Sequence, residues 1–360
     1  MEVTNNIHAQ MTAVSLFSGA GGLDVGFEKA GFKTVFANEC DHDAAETWKA
    51  NRPSFTQIMV EGDINDYLQN LVAYRGVGVV YGGPPCQGFS VAGKMNPEDE
   101  RSKLIWRFFD AVEITMPLVF LMENVDALGI LKKWKDVRSD IIKRADSLGY
   151  DVSYKVHHTP DYGVPENRNR VIFIGVRKDI GDTKPFYTIL EEHKNPPRLA
   201  RETILSAGKY GSDDNPITCT ASISLATRPV MRNSPYAGML VNGAGRPINL
   251  DGIAPTLPAS MGGNKTPIVD EIALNNPSIP NWFKTYHSAL KKKETSPSKT
   301  QVPLTIRRLT VKECAAIQTF PKDYIFQGAK TKQYRQIGNA VPCLFAEAVA
   351  KSIRDAYFTL

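Results

Sequence analysis

Three short segments carry the residues best suited to chemistry. Gly82-Gly83-Pro84-Pro85-Cys86-Gln87-Gly88-Phe89-Ser90 follows the apolar run Val77–Tyr81, and its glycines and prolines stiffen a loop whose one nucleophile is Cys86. A thiol is the best soft nucleophile near neutral pH, and a loop at a strand's carboxyl end can expose it and favour its thiolate. Most lone cysteines are small buried hydrophobes; Cys86 instead lies in a polar turn. Met122-Glu123-Asn124-Val125 ends a second apolar run and sets a carboxyl beside the same crevice. Pro165-Glu166-Asn167-Arg168-Asn169-Arg170 leads into a third, and the alternation places Arg168 and Arg170 on one face. By themselves those arginines would serve equally well as a surface ion-pair ladder.

A separate group of residues suits a nucleoside. Ser15-Leu16-Phe17-Ser18-Gly19-Ala20-Gly21-Gly22-Leu23-Asp24 runs from a strand through a glycine-rich turn into a helix. Such a turn lets backbone approach a ligand and offers free N–H groups at the helix start. A turn with packing glycines would look the same. The loop does not fit GxGxxG, which makes a nicotinamide-dependent dehydrogenase remote. Glu39, about 20 residues after the turn, can accept hydrogen bonds from ribose hydroxyls. Asp63, in Glu61-Gly62-Asp63-Ile64, can accept from an adenine amino group.

These loops need a scaffold. Apolar or β-branched runs at Ala13–Phe17, Lys33–Ala37, Val77–Tyr81, Leu118–Met122 and Val171–Val176 alternate with helical stretches at Gly22–Ala30, Asp43–Ala50, Ser102–Thr115 and Lys132–Leu148. The alternation predicts an α/β fold: a Rossmann-like, mostly parallel sheet with helices on both faces and ligand loops at the strands' carboxyl ends. Pro185 to Pro303 is rich in Pro, Gly, Asn and Ser and predicts a smaller, loop-rich domain. Helical character returns at Val311–Thr319, where Thr310 and Glu313 form a capping box, and at Val341–Tyr357. The expected boundaries are 1–180 for a cofactor-binding catalytic domain, 181–333 for a recognition domain, and 334–360 for a segment returning to the first.

With 360 residues, 42% of them apolar, the chain can bury a large core. No apolar run approaches the ~20 residues of a membrane span, and Met1 to Gln10 does not read as a signal peptide. Five cysteines without a CxxC pair fit neither a disulfide framework nor a zinc cluster, so no metal is expected, and they suit a reducing cytosol. The net charge of +5 is uneven: Lys178 to Arg308 holds 17 basic and 11 acidic residues. That stretch is where a polyanion would be met.

In this order, SLFSGAGGLDVGFEKAG, GGPPCQGFS, MENV, ENRNRVIFIG, RRLTVKECAAIQTFP and QIGNAVP resemble the motif blocks of the cytosine-C5 DNA methyltransferase family. They cover most of the chain except Lys178 to Pro303, where that family carries its variable recognition region. The resemblance implies an S-adenosylmethionine site, with S-adenosyl-L-homocysteine as product, formed by Phe17, Gly19, Ala20, Gly21, Gly22, Glu39, Asp63, Ile64, Gly82, Pro84, Leu104, Asn339 and Ala340. It makes Cys86 the nucleophile at cytosine C6 and Glu123 the carboxyl at N3 and the exocyclic amine. It also makes Arg168 and Arg170 the basic pair that steadies the flipped nucleotide and the catalytic loop. Glu166 stands where the family usually has Gln.

The implied activity is DNA (cytosine-5) methylation in a bacterial restriction–modification system, on a cytosine flipped from the duplex. The Gln87–Pro97 loop would close behind it. Gln87, Ser90, Arg228, Arg232, Arg246, Thr256, Leu257, Asn264 and Lys265 are the expected DNA contacts, with Thr256-Leu257 resembling the family's groove-contacting pair. Double-stranded DNA is the expected partner of a cytoplasmic monomer that serves the nucleoid, with a cognate restriction endonuclease acting independently and no membrane. Two rivals keep the fold: a tRNA cytosine-5 methyltransferase and a catalytically silent DNA-binding regulator.

Overall fold

The computed structural model describes residues 11–85, 103–298, 300 and 302–358. Cys86, Gln87, Ser90 and the Gln87–Pro97 loop lie outside them. The chain divides into two compact units, one of Met1–Tyr162, Asn169–Asn195 and Val341–Leu360, the other of Gly163–Arg168 and Pro196–Ala340.

The first unit is built on a seven-stranded sheet. Its strands are β1 (Thr12–Leu16), β2 (Lys33–Glu39), β3 (Met59–Glu61), β4 (Val79–Gly82), β5 (Val119–Val125), β6 (Tyr150–His158) and, after the two-residue strand β7 (Glu166–Asn167) of the other unit, β8 (Asn169–Arg177). The order is β3-β2-β1-β4-β5-β8-β6. Neighbours from β3 to β5 run parallel, and β8 runs antiparallel to both β5 and β6. Central strands β4 and β5 are buried almost residue for residue, as expected of strands covered on both faces. Edge strand β6 has few fully buried positions.

The helices follow from local signals. Helix α1 (Gly22–Lys29) starts at Gly21, whose φ of 86° is left-handed. Asp41 caps α2 (His42–Ala50) by accepting from the Ala44 N–H. Helix α3 (Leu104–Thr115) stops at Met116, ahead of Pro117. Its Phe108 and Phe109 meet Phe120 of β5 edge-on, 6.1 and 5.5 Å between ring centres. Short α4 (Asp126–Ile130) and α5 (Lys135–Ser147) follow, and Ile141 and Ala145 of α5 join the same core. Burying each such Phe contributes roughly 1.5–3 kcal/mol. The C-terminal helix (Cys343–Tyr357) packs on α1 so closely that a Cβ on Gly26 would lie 2.4 Å from the Ala346 carbonyl carbon. Helix α6 (Lys184–Glu192) also packs on it, and the Tyr357 hydroxyl donates to the Asp182 carbonyl at 2.9 Å. These contacts keep residues to 195 in this unit, whereas the sequence reading ended it at 180.

The second unit contains α7 (Ala200–Ser206), the antiparallel pair β9 (Leu225–Val230) and β10 (Met239–Val241), and β11 (Ala254–Pro255), which runs parallel to β7. Strand β12 (Ile268–Asp270) pairs antiparallel with β13 (Ile306–Arg308), and helices α8 (Glu271–Asn275), α9 (Trp282–Lys291), α10 (Val311–Ile317) and α11 (Lys330–Asn339) complete it. Ile223, Leu240, Val241, Ile268, Phe283 and Ile306 form its core. Thr310 and Glu313 make the expected capping box on α10. Gln336–Asn339, the start of the QIGNAVP block, is the end of α11. Tyr334 holds that helix in this unit by donating to the Leu309 carbonyl at 2.7 Å, so the unit runs to 340 rather than 333.

Candidate active site

Strand register places the chemistry of the first unit. Leu16 pairs with Asn38 and with Gly82, and Gly82 pairs with Met122. The residues one step beyond, Phe17, Glu39, Gly83 and Glu123, therefore form a row along the carboxyl edge of four adjacent strands. Strand β8 runs the other way, so its first residues, including Arg170, arrive at the same edge.

At one end of the row, Arg170 Nε donates to Glu123 Oε1 at 2.6 Å, and both side chains are nearly nine-tenths buried. A Cβ on Gly83 would lie 2.7 Å from Glu123 Oε2. The carboxylate thus rests against the backbone of the loop that leads to Cys86 three residues later. Asn124 Nδ2 donates to the Pro84 carbonyl at 3.1 Å, tying the same loop to β5.

At the other end is the glycine turn. Phe17, Gly19 and Gly21 have φ of 54°, 55° and 86°. For Phe17 this conformation costs about 1–2 kcal/mol. A Cβ on Gly19 would meet no atom within 4 Å, so the turn is open beside Gly19. Glu39 holds it, accepting from the Gly19 N–H and the Asp41 N–H at 2.8 Å each. Burial raises the Glu39 pKa, and these two N–H bonds work against the rise. The Cys40 thiol adds a third bond to the carboxylate, which leaves one lone pair for a ligand hydroxyl. Asp63 Oδ1 takes the Asn65 N–H and side-chain amide, and buried Ile64 packs into the main core. Gly82 is required where it stands, since a Cβ would lie 2.3 Å from the Leu16 carbonyl oxygen.

In the second unit, Asn167, Arg246, Pro255, Thr256, Ser260 and Lys265 line a hollow of about 500 Å³ that contains no acidic residue. Arg246 is anchored by donating to the Ala237 and Gly238 carbonyls.

A sequence profile of the C-5 cytosine-specific DNA methylases matches residues 11–355. The chain belongs to that family. It is 31% identical over 359 residues to the Type II methyltransferase M1.HphI of Haemophilus parahaemolyticus, covering 95% of this chain and 86% of that one. It is 33% identical to the Type II methyltransferase M.Eco47II of Escherichia coli, covering 98% and 80%. Among solved structures, the Entamoeba histolytica methyltransferase EhMeth superposes with a TM-score of 0.65 at 16% identity, covering 96% of this chain and 98% of that one. Schizosaccharomyces pombe Dnmt2 gives 0.63 at 14%, covering 96% and 97%. These two share the fold.

In this cytosine methylase, Phe17, Gly19, Ala20, Gly21, Gly22, Glu39, Gly82, Pro84 and Glu123 fall along the carboxyl edge of one sheet, with Asp63 and Ile64 just beyond β3 and Leu104 opening α3. Asn339 and Ala340 belong to the other unit. Arg170 meets Glu123, while Arg168, 2% exposed, gives its guanidinium to carbonyls of the second unit. Of the Thr-Leu pair, Thr256 is exposed and Leu257 is 1% exposed. Arg228, Arg232, Asn264 and Lys265 are exposed. Sequence reasoning passed over Gly83, Asn124, Asn167 and Ser260. Asn124 was legible, as a buried amide directly after the acid at a strand end.

Proposed function

We propose that this methylase transfers a methyl group from S-adenosylmethionine to C5 of a cytosine flipped out of duplex DNA, as the modification partner in a restriction system. The carrying observation is the Glu123 carboxylate, clasped by Arg170 and resting on Gly83 of the loop that bears Cys86. The open glycine turn, the Glu39 carboxylate and Asp63 fit a nucleoside with hydroxyls and an amino group. Held there, S-adenosylmethionine supplies an electrophilic methyl group for C5.

The chain's own residues prepare C5 to accept it. The Cys86 thiolate forms a C6–S bond, the C5–C6 π pair moves into the ring and enriches C5, and a proton shared between the Glu123 carboxyl and N3 neutralises the negative charge that develops there. Arg170 fixes that carboxylate in place, so no reorganisation is needed during the reaction. After C5 is methylated its proton leaves to solvent or a base, the C6–S bond breaks, and the pair returns to sulfur. The second unit, with Arg246, Thr256 and Lys265 around its acid-free hollow, would read the duplex. Relatives named as Type II methyltransferases support the modification role. No helix among the described residues is long and apolar enough to cross a membrane, and a cytosolic monomer acting apart from its endonuclease is the arrangement we propose.

The test is labelled-methyl transfer to duplex DNA and, in parallel, to tRNA, for the native chain and Cys86→Ser. DNA labelling that disappears in the variant is expected. Labelling of tRNA alone, or an active Cys86→Ser, would refute the proposal. Bisulfite sequencing of host DNA would then give the recognised site.

A further inference from the structure

The exposed face of the β9–β10 ribbon is basic and apolar by turns. Leu225 and Met231 pack on the core of the second unit, so the residues between them alternate, and Arg228 and Val230 point outward from β9. Arg232, just past the strand, is also exposed. Across the ribbon Val230 pairs with Met239, and these two apolar side chains are each 37% exposed. The pair thus has an arginine two residues away on either side, about 7 Å at the rise of an extended strand. Among the described residues neither guanidinium has a hydrogen-bond or ion-pair partner. From Asn215 to Leu250 the chain carries three arginines and no Asp or Glu, so no acid on the ribbon screens them.

The ribbon is braced along its tip. From α9, His287 Nε2 donates to the Arg232 carbonyl at 2.8 Å and Lys291 Nζ to the Asn233 carbonyl at 3.3 Å. Arg246 fixes the returning chain by donating to the Ala237 and Gly238 carbonyls. A Cβ on Gly238 would lie 2.3 Å from the Val230 carbonyl oxygen, so the two strands meet backbone to backbone there. Arg246 also lines the acid-free hollow, so ribbon and hollow adjoin. A surface fixed in this way loses little freedom on binding. Single exposed apolar side chains are ordinary; here two of them form a cross-strand pair on a braced ribbon, between cations that have no partner of their own.

We propose that the Val230–Met239 pair packs on the 5-methyl group of a thymine in the recognised sequence, with the ribbon in the major groove and Arg228 and Arg232 reaching the bases or phosphates on either side. The proposal rests on the functional reading above, in which the second unit reads duplex DNA, and adds the group that is read. The major groove admits a two-stranded ribbon, and the thymine methyl is the apolar group that a base edge presents there. Cations flanking an apolar spot match a groove whose walls are phosphate and whose floor carries that methyl. Duplex RNA offers the pair nothing to hold, because its major groove is too narrow for side chains to read and uracil lacks the methyl.

The test maps the site by bisulfite sequencing, then replaces each thymine of that duplex in turn by deoxyuridine, a change of one methyl group. At one position the replacement should weaken binding to the full chain about fourfold, the effect of exposing one buried methyl, with little change at the others. Val230→Ala and Met239→Ala should each lower that thymine-to-uracil ratio to about twofold, and the double variant should bring it near one, by weakening the thymine duplex and not the uracil one. Both side chains lie on an exposed face, so circular dichroism should show each single variant folded. Arg228→Gln should weaken both duplexes alike and leave the ratio at about fourfold. A mapped site without an A·T pair, a native ratio near one at every thymine, or a ratio still near fourfold in both alanine variants would each overturn the methyl contact and leave the functional reading standing. A native chain that methylated no duplex DNA would overturn that reading and the proposal with it.

Discussion

Replacing Arg170 by Ala tests whether Glu123 is a prepared catalytic group or a carboxylate that merely happens to lie at a strand end. The ion pair is short, 2.6 Å, with side chains 12% and 11% exposed. At an effective dielectric of ~20 the attraction is about 6 kcal/mol, and desolvation of both ions offsets much of it. Removing one partner leaves the other buried without compensation, which costs about 3 kcal/mol. If that cost falls on the placement of Glu123 as charge develops on the ring, kcat drops about 150-fold, since each 1.4 kcal/mol is tenfold. Affinity for DNA should change little, because the hollow lined by Arg246 and Lys265 is untouched. Arg170→Lys restores the charge without the guanidinium geometry and should recover about a factor of ten. The assay is single-turnover methyl transfer to a mapped duplex, run well below the variant's Tm, with circular dichroism confirming the fold. A kcat for Arg170→Ala within threefold of the native value would refute the role given to the pair.

Three further outcomes follow from close contacts and burial. Gly83→Ala puts a Cβ 2.7 Å from Glu123 Oε2; because Arg170 holds that carboxylate, kcat should fall about tenfold with little change in Tm, for a strain of about 1–2 kcal/mol. Gly26→Ala drives a Cβ to 2.4 Å from the Ala346 carbonyl carbon, so stability should fall by about 3 kcal/mol in urea unfolding while the folded fraction keeps its kcat. His157 is 4% exposed, and burial lowers its pKa to about 4 from 6.5. The unfolded chain therefore takes up the proton first, and the stability from the neutral buried ring is complete above pH 6.5 and lost as pH falls to about 4. The loss amounts to about 3 kcal/mol, and His157→Gln should flatten that acid limb of the stability–pH curve.

The sheet was legible because its inner strands are continuous apolar runs. Ala13–Phe17, Val77–Tyr81 and Leu118–Met122 differ from β1, β4 and β5 by one to three residues at their ends. The row of Phe17, Glu39 and Glu123 followed from strand ends alone, since parallel neighbours bring their carboxyl ends to one edge. Strand β6 was missed because it is an edge, and Ser153, Lys155 and His157 interrupt the apolar signal there. Helix α9 was lost in a region read as loops, although Phe283, Tyr286, His287 and Leu290 keep helical spacing. Arg168 was beyond sequence reasoning for a different reason. Alternation describes neighbours two residues away, and its acceptor on Gly338 lies 170 residues on.

Charge shows the same difficulty from the other side. The surplus between Lys178 and Arg308 was the sequence's argument for a polyanion, yet several of those cations serve the fold. Arg307 meets both Glu271 and Glu313, at 2.6 and 2.8 Å, with its guanidinium over the Tyr210 ring. Arg308, 2% exposed, donates to the Ala221, Asn264 and Thr266 carbonyls. Arg201 is divided between the Ala273 and Leu274 carbonyls and Asp251. A cation flanked by acids adds little to the outside field, and one ringed by carbonyls cannot reach a phosphate. For DNA we propose Arg246, tied by its own carbonyl contacts, beside exposed Lys265, with Arg228 and Arg232 exposed on and just after β9. A cation held in place as Arg246 is adds dependence on fit to the general attraction that the exposed lysines and arginines supply, which is the balance that reading a sequence would require.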